Sequence, residues 1–206
     1  SPFDAMVRKV GYPGELMEWH GHNDFHKALI NPATAWLYGC STCNGTLLGI
    51  GERTGNTPIE AMVIEAGQLR GQDPRIDYQV ITEIGEYYRQ RIGYHIPGNY
   101  PLVGREFNTT RAGIHADGLL KSEEIYSAFD TGGILASPPG VAITDKSGAA
   151  GIKHWIQANY NLDVPKDDTR LQALRMTVEA EYEAGRTTTI SDEEMDRWYL
   201  LAFAHI

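Results

Sequence analysis

The sequence predicts an α/β fold with parallel strands in its first third and a mostly helical remainder. Two segments, 15–24 and 41–50, have the length and apolar content of buried strands, and each is followed by a helical pattern. Strands that alternate with helices are typical of parallel sheets. Two strands cannot form an independent parallel sheet with both faces covered, so this part is expected to be the end of a larger fold.

Helix start and stop signals place the remaining elements. A first helix is expected to end near Gly11, and a short helix closes at Gly39. The next helix has Thr57 as its N-cap and Glu60 as the partner in a capping box. Further helices are expected at 77–92, 122–129, 148–160, 167–184 and 191–203, the last with Ser191 and Glu194 as a second capping box.

Composition excludes several classes of function. The chain has 206 residues, 42% of them hydrophobic, and a net charge of −9. The absence of a basic cluster argues against nucleic acid as a partner. No apolar run reaches the roughly 18–20 residues that cross a bilayer, so a cytoplasmic protein without a membrane partner is expected. Cys40 and Cys43 form a Cys-x-x-Cys pair, but without a second pair two buried thiols are favoured over zinc or redox chemistry.

The stretch EWHGHND contains two histidines, His20 and His22, near the carboxyl end of the first predicted strand. Side chains alternate along a strand, so both rings are expected on one face. Paired histidines near a turn are commonly ordinary surface residues. The nearby carboxylates of Glu18 and Asp24, and the position before a loop, favour a metal site for Mn, Co, Zn or Fe, with Mg possible.

Two other glycine-containing stretches are candidates for chemistry. GIGERTGN lacks the Gly-Lys-Ser/Thr of a phosphate-binding P-loop and the spacing of a dinucleotide fingerprint, yet it contains Glu52, Arg53 and Asn56 among its glycines. RAGIHADGLLK contains His115, and a lone histidine is more often structural than catalytic. Tyr126 follows, and a helix core is the ordinary place for such an aromatic.

Three stretches in order, HGHND, NGTLLGIGERTGN and AGIHADGLLK, resemble the carboxyl-terminal half of the family of 2-isopropylmalate, homocitrate and Re-citrate synthases, within the DRE-TIM metallolyase superfamily. The resemblance covers the chain from about Glu15 to Tyr126. Two longer segments, GHNDFHKALINPATAWLYG and FNTTRAGIHADGLLK, are most similar in sequence to the Re-citrate and homocitrate synthase branch.

The resemblance implies the last two strand-helix units of a (β/α)8 TIM barrel, followed by helical subdomains. Residues 16–22 would be the seventh strand and 41–48 the eighth. The implied division is 1–71 for the barrel part, 72–105 for a helix and linker, and 106–206 for the helical subdomains. Six strands and the Asp-Arg-Glu type motif are missing, so a fragment, a cleavage product or one subunit of a split enzyme is expected, with an amino-terminal barrel half as partner. No long leucine-binding regulatory domain is expected, which favours citrate or homocitrate over isopropylmalate as the product.

The resemblance implies a divalent metal (Mn, Mg, Co or Zn) held by His20, His22 and Asn56. The metal would bind a 2-oxoacid and polarise its keto group. The missing aspartate of the first motif would complete the ligand set. Asn23 and Asp24 are expected to orient the ligand histidines.

By the same resemblance, His115 and Tyr126 are the catalytic pair that moves protons on the acetyl group of acetyl-CoA. Glu52 and Arg53 are expected to order the loop around the site. The implied reaction joins acetyl-CoA to the 2-oxoacid and hydrolyses the thioester. A homodimer that exchanges its helical subdomains is implied, because the family delivers this histidine to the neighbouring subunit.

Several alternatives stay open. The order of preference for the 2-oxoacid is oxaloacetate, 2-oxoglutarate and then 2-oxoisovalerate, the substrate of 2-isopropylmalate synthase. A related metal-dependent acyl-CoA lyase is a second class, although residues 49–56 lack the loop cysteine of those lyases, which also lack the GIHADG segment. A non-catalytic subunit or fragment is the third.

Overall fold

A computed structural model describes residues 2–122 and 126–203. The chain divides into two compact units, 1–81 and 82–206. The three-part division at 71 and 105 stays a prediction.

Helices and strands alternate in the first unit. Its described elements are α1 (Pro2–Ala5), β1 (Glu18–Trp19), α2 (Ile30–Leu37), β2 (Thr42–Cys43) and α3 (Ile59–Arg70). A π-helical turn extends α1 to Val10 and ends at Gly11, whose φ of 74° suits glycine. Helix α4 (Val80–Tyr87) begins at the end of this unit. A small buried cluster of Ala35 and Cys40, with Trp19 packed against it, joins α2 to the strands.

The two strands pair in parallel, as the sequence predicts, with Glu18 beside Thr42 and Trp19 beside Cys43. Both are shorter than predicted. Tight 3₁₀ turns occupy Gly14–Leu16 and Leu47–Gly49, within the expected strands. A lone pair of strands has few ladder hydrogen bonds to keep the chain extended. The prediction that 16–22 forms one strand with strict alternation is therefore wrong.

The start of α3 also differs from the prediction. Pro58 occupies the N-cap position without a side-chain cap. The hydroxyl of fully buried Thr57 instead donates to the Ala28 carbonyl at 2.9 Å. The carboxylate of buried Glu60 accepts the Leu48 N–H at 3.0 Å. Buried polar groups require partners, and here tertiary partners replace the predicted capping box.

The second unit is mainly helical. Its described elements are β3 (Thr109–Thr110), α5 (Gly113–Lys121), α6 (Thr131–Leu135), β4 (Gly140–Val141), α7 (Gly148–Tyr160), α8 (Thr169–Glu183) and α9 (Asp192–Phe203). A π-helical turn, Tyr88–Ile92, follows α4, so the helix predicted at 77–92 starts three residues late. Strands β3 and β4 pair in parallel and were not predicted.

Helices α7, α8 and α9 enclose the main core of the second unit. It contains the fully buried side chains Ile156, Leu171 and Met195. The predicted capping box at α9 is confirmed. The Ser191 N–H donates to a Glu194 carboxylate oxygen at 2.9 Å, and the Glu194 N–H donates to the Ser191 hydroxyl at 3.3 Å. Within residues 2–122 and 126–203, none of the helices is both long and apolar enough to cross a bilayer.

The helix predicted at 122–129 is wrong over its described residues. Helix α5 ends at Lys121, Ser122 is extended, and 126–129 are not helical. Residues 123–125 lie outside the described part of the chain. A Cβ atom at Gly118 would clash with the Tyr126 ring, so this glycine lets the chain turn back closely against α5.

Candidate functional site: a histidine pair and a histidine–tyrosine cavity

The histidine pair lies just beyond strand β1 in the first unit. The ring centroids of His20 and His22 are 5.2 Å apart, and the rings meet edge to face. His22 forms an isolated antiparallel bridge with Asn56. His20 is exposed, whereas His22 and Asn56 are half-buried. The structure therefore brings the three predicted metal ligands to one region of the first unit.

The loop 49–56 places Asn56 through its own backbone. The Asn56 N–H donates to the Gly49 carbonyl at 2.9 Å, and the Asn23 N–H donates to the Gly55 carbonyl at 3.0 Å. Gly55 has a φ of 91°, and a Cβ atom there would clash with the Gly49 carbonyl. A Cβ atom at Gly51 would clash with the Asn56 side-chain amide. The backbone requires glycine at 55, and any side chain at 51 would have to displace the Asn56 amide.

Two atoms of this cluster are suited to a ligand. His22 Nδ1 and Asn56 Oδ1 are buried without a hydrogen-bond partner in the structure. A buried unpartnered polar atom is costly and calls for an explanation such as an ion. In the part of the chain that the structure describes, no group of three or more His, Cys, Asp or Glu side chains forms a metal cluster. Two imidazoles and one amide oxygen fit a divalent cation that takes further ligands from elsewhere.

Asp24 and Arg53 form an ion pair beside the histidines. The Arg53 Nε and a second guanidinium nitrogen each donate to an Asp24 carboxylate oxygen at 3.3 Å. The hydrogen bond from Arg53 lowers the pKa of Asp24. Asn23 Oδ1 accepts the Ala28 N–H at 3.2 Å. These contacts fasten the turn after His22 to the loop, and Glu52 is exposed on that loop.

Sequence reasoning missed Asn44. Its side-chain oxygen lies 3.1 Å from Nδ1 of His20. The signal that would have found it is the parallel register, because Trp19 pairs with Cys43 and the next residues along the two strands are His20 and Asn44.

The second cluster lies in the second unit. His115 is in the first turn of α5, and its ring centroid is 4.8 Å from that of Tyr126. Both side chains are exposed to a cavity of about 470 Å³, which Asn108 and Thr110 also line. The Thr110 hydroxyl is buried without a hydrogen-bond partner in the structure. The two predicted catalytic residues are thus neighbours on one cavity wall.

Ser147 holds the start of the helix that carries His115. The Ser147 side chain is fully buried. Its hydroxyl oxygen lies 3.1 Å from the Arg111 carbonyl and 3.0 Å from the Ala142 carbonyl, and it accepts the Thr144 N–H at 2.8 Å. The Gly113 N–H donates at 2.8 Å to the carbonyl of Lys146, the residue before Ser147. These bonds fix the segment immediately before His115.

The cysteines are free thiols. Cys40 is buried and donates to the Met17 carbonyl at 3.1 Å. Cys43 is half-buried, and burial raises the pKa of its thiol, which keeps it protonated at neutral pH.

Comparisons with known proteins identify the family to which this chain is similar. Residues 2–87 match the HMGL-like family model. The chain is 55% identical over 196 residues to the citrate (Re)-synthase of Syntrophus aciditrophicus, a match that covers 93% of this chain and 31% of the relative. It is 49% identical over 188 residues to the citrate (Re)-synthase of Clostridium kluyveri, which covers 89% of this chain and 42% of that protein.

A more distant relative is the 2-phosphinomethylmalate synthase of Streptomyces hygroscopicus, 32% identical over 200 residues, or 97% of this chain and 45% of the relative. The chain thus spans less than half the length of each of these three proteins. The match to the family model covers the histidine pair and the glycine-rich loop. The chain belongs to the HMGL-like family, and its relatives include citrate (Re)-synthases and a 2-isopropylmalate synthase.

Proposed function

We propose that the protein joins the acetyl group of acetyl-CoA to a 2-oxoacid and releases CoA, with oxaloacetate as the first choice of oxoacid and citrate as the product. The observation that carries the proposal is the meeting of His22 and Asn56, whose buried unpartnered atoms lie beside His20. The names of the two citrate (Re)-synthases support oxaloacetate. 2-Oxoglutarate is the second choice and 2-oxoisovalerate the third.

Residues of the first unit would hold the divalent cation that binds the 2-oxoacid. His20, His22 and Asn56 supply two imidazole nitrogens and an amide oxygen, and a carboxylate from outside this chain would complete the set. When bound, Mn²⁺, Mg²⁺, Co²⁺ or Zn²⁺ supplies a Lewis acid that polarises the keto group. Asn23, Asp24 and the loop around Arg53 keep these ligands in place.

The second-unit residues would move protons. An imidazole nitrogen of His115 takes a proton from the acetyl methyl group, and that carbon forms the new bond to the keto carbon. The π electrons of the keto C=O bond move to its oxygen, which takes up a proton from solvent to become the product hydroxyl. Tyr126, whose ring lies against that of His115, supplies a phenolic hydroxyl as its partner. Water then cleaves the thioester, which leaves the acid and the CoA thiol. General acid–base catalysis of this kind contributes about 10²–10⁴-fold in rate.

An amino-terminal barrel half, in the same chain or in a separate subunit, is the proposed partner of the first unit. Large apolar side chains are exposed there, with Phe25 82% and Leu37 70% accessible. A cavity of about 560 Å³ between β2 and α3 is lined by Trp36, Met62 and Val63. Apolar surface of this kind is typical of a face that packs against further protein. A homodimer with exchanged subdomains and a cytoplasmic location remain part of the proposal.

The test is CoA-thiol release from acetyl-CoA by the protein expressed from its complete gene, with Mn²⁺ and each of the three oxoacids in turn. We expect release with oxaloacetate that is lost on chelation. His20→Ala should abolish this turnover. His26→Asn is the matched control, because His26 is exposed on the same segment and asparagine tolerates its φ of 54°.

Release with another oxoacid would correct the substrate. If no oxoacid gave release, the acyltransferase proposal would be overturned in favour of the lyase or a non-catalytic subunit. Full activity of His20→Ala would overturn the metal assignment.

A further inference from the structure

The side chain of Asn44 is placed against His20 by the register of the two parallel strands. Trp19 pairs with Cys43, and the Asn44 N–H donates to the Trp19 carbonyl at 2.8 Å, so the ladder continues one step. Side chains alternate across a strand, and neighbouring parallel strands lie about 4.8 Å apart. His20 and Asn44 therefore extend to the same side, and Oδ1 of Asn44 comes within 3.1 Å of Nδ1 of His20.

This contact selects one form of the imidazole. An amide oxygen only accepts hydrogen bonds, so His20 must carry its proton on Nδ1 to donate to Asn44. In the neutral ring the other nitrogen, Nε2, then has a free lone pair. A histidine that binds a metal through Nε2 has this form, and the hydrogen bond at its second nitrogen fixes the tautomer and the ring orientation.

The neighbours predicted for this role are engaged elsewhere. Oδ1 of Asn23 accepts the Ala28 N–H, and the Asp24 carboxylate accepts two bonds from Arg53. Nδ1 of His22 has no hydrogen-bond partner in the structure. Asn44 thus orients one of the two histidines, whereas the backbone bridge to Asn56 holds the other.

We propose that Asn44 is a positioning residue that fixes His20 as the Nδ1–H tautomer and directs Nε2 to a divalent cation. The proposal rests on the metal site of the proposed function. Asn44 touches neither substrate nor cation in this role. It acts through the imidazole, so its removal should change the tautomer and the cation affinity together.

The test compares Asn44→Leu, Asn44→Asp and the control Asn31→Leu, which changes an exposed asparagine in α2. Each protein is expressed from its complete gene. The tautomer of His20 is read from ¹⁵N chemical shifts of the metal-free protein, with the signal assigned by its loss in His20→Ala. The affinity for Mn²⁺ is measured by calorimetry. Neither readout depends on turnover.

We expect Asn44→Leu to lose the Nδ1–H preference and to bind Mn²⁺ about 10- to 100-fold more weakly, as is usual when the partner of a ligand histidine is removed. Asn44→Asp, which presents only acceptors, should keep both properties, and Asn31→Leu should match the wild type. If Asn44→Leu and the wild type bound Mn²⁺ equally, the role of Asn44 alone would be overturned.

Equal losses of Mn²⁺ affinity in Asn44→Leu and Asn44→Asp would also overturn the proposed role. They would mean that the amide nitrogen of Asn44, and not its acceptor oxygen, is what matters. A wild-type protein that binds no Mn²⁺ would overturn the metal site of the proposed function and the positioning role together.

Discussion

Replacing Ser147 with alanine tests how the helix that carries His115 is held. The hydroxyl is fully buried and lies within hydrogen-bond distance of two carbonyls and one N–H, all on the segments that meet at the start of α5. One O–H donates to only one carbonyl at a time, and the Arg111 carbonyl also accepts from the Thr144 hydroxyl at 3.2 Å. Alanine therefore removes the acceptor of the Thr144 N–H and one donor to the two carbonyls. The backbone of residues 111–113 would then be held by the bond from Gly113 to the carbonyl of residue 146 and by the bond from the Thr144 hydroxyl to the Arg111 carbonyl.

The expected cost follows from those contacts. A buried group left without its hydrogen bond costs about 1–3 kcal/mol. The Ser147 hydroxyl accepts one hydrogen bond and donates one, and alanine opens almost no cavity, so we expect a loss of about 2 kcal/mol in the local free energy of opening. A difference of 1.4 kcal/mol is tenfold in an equilibrium constant, so amides of α5 should exchange roughly 30-fold faster.

Hydrogen exchange measured by mass spectrometry on peptides from residues 113–121 gives the change in amide exchange rate directly. Peptides from α8, residues 169–183, serve as an internal reference. Thr187→Ala is the matched control, because Thr187 is exposed and such surface changes stay within about 0.5 kcal/mol. If Ser147→Ala exchanged no faster in α5 than the control did, the Ser147 contacts would not be what holds the helix.

Three further changes address the site. His115→Ala should lower turnover by about 10²–10⁴-fold while the metal content, measured by mass spectrometry, stays at the wild-type value; a metal-free variant would refute the assigned roles. Burial raises the pKa of Glu60 above 4.5, so the folded state binds that proton more tightly than the unfolded state does, and ionised Glu60 destabilises the fold above its folded pKa. Glu60→Gln should therefore raise Tm at pH 7, with a gain that disappears below about pH 4.5; a gain that grows on acidification would contradict this. Gly51→Ala should push the Asn56 amide aside, at an overpacking cost of about 1–3 kcal/mol, and so weaken Mn²⁺ binding about tenfold. Gly67→Ala is the control and should bind Mn²⁺ normally, because its Cβ atom would meet its nearest neighbour at an ordinary 3.4 Å.

Local sequence patterns correctly predicted helices whose ends depend on interactions between residues close in sequence. Helix α7 has the predicted bounds, Gly148–Tyr160, and α9 begins at the predicted capping box. Helix α5 was missed because Gly113 and Gly118 are typical of turns, whereas here each glycine makes room for a neighbour, the Ser147 carbonyl and the Tyr126 ring. Tertiary packing overrides propensity at such positions.

The candidate site shows the same limit. Resemblance to a family selected His20, His22 and Asn56, and the structure brings them together. The contact between His20 and Asn44 depends on the register of two segments 24 residues apart in sequence, which no pattern within either segment encodes. The start of α3 was mispredicted for a related reason, since Thr57 finds a buried partner across the fold.

The loop 49–56 has a consequence for protein engineering. Its shape is set by backbone hydrogen bonds and by glycines whose missing Cβ atoms make space for a carbonyl and for the Asn56 amide. Codon randomisation at 55, where φ is 91° and a backbone carbonyl fills the space, should therefore yield mostly misfolded loops, whereas a side chain at 51 displaces only the Asn56 amide. Mutant libraries are better directed to side chains that face a cavity, where substitution does not compete with the path of the main chain.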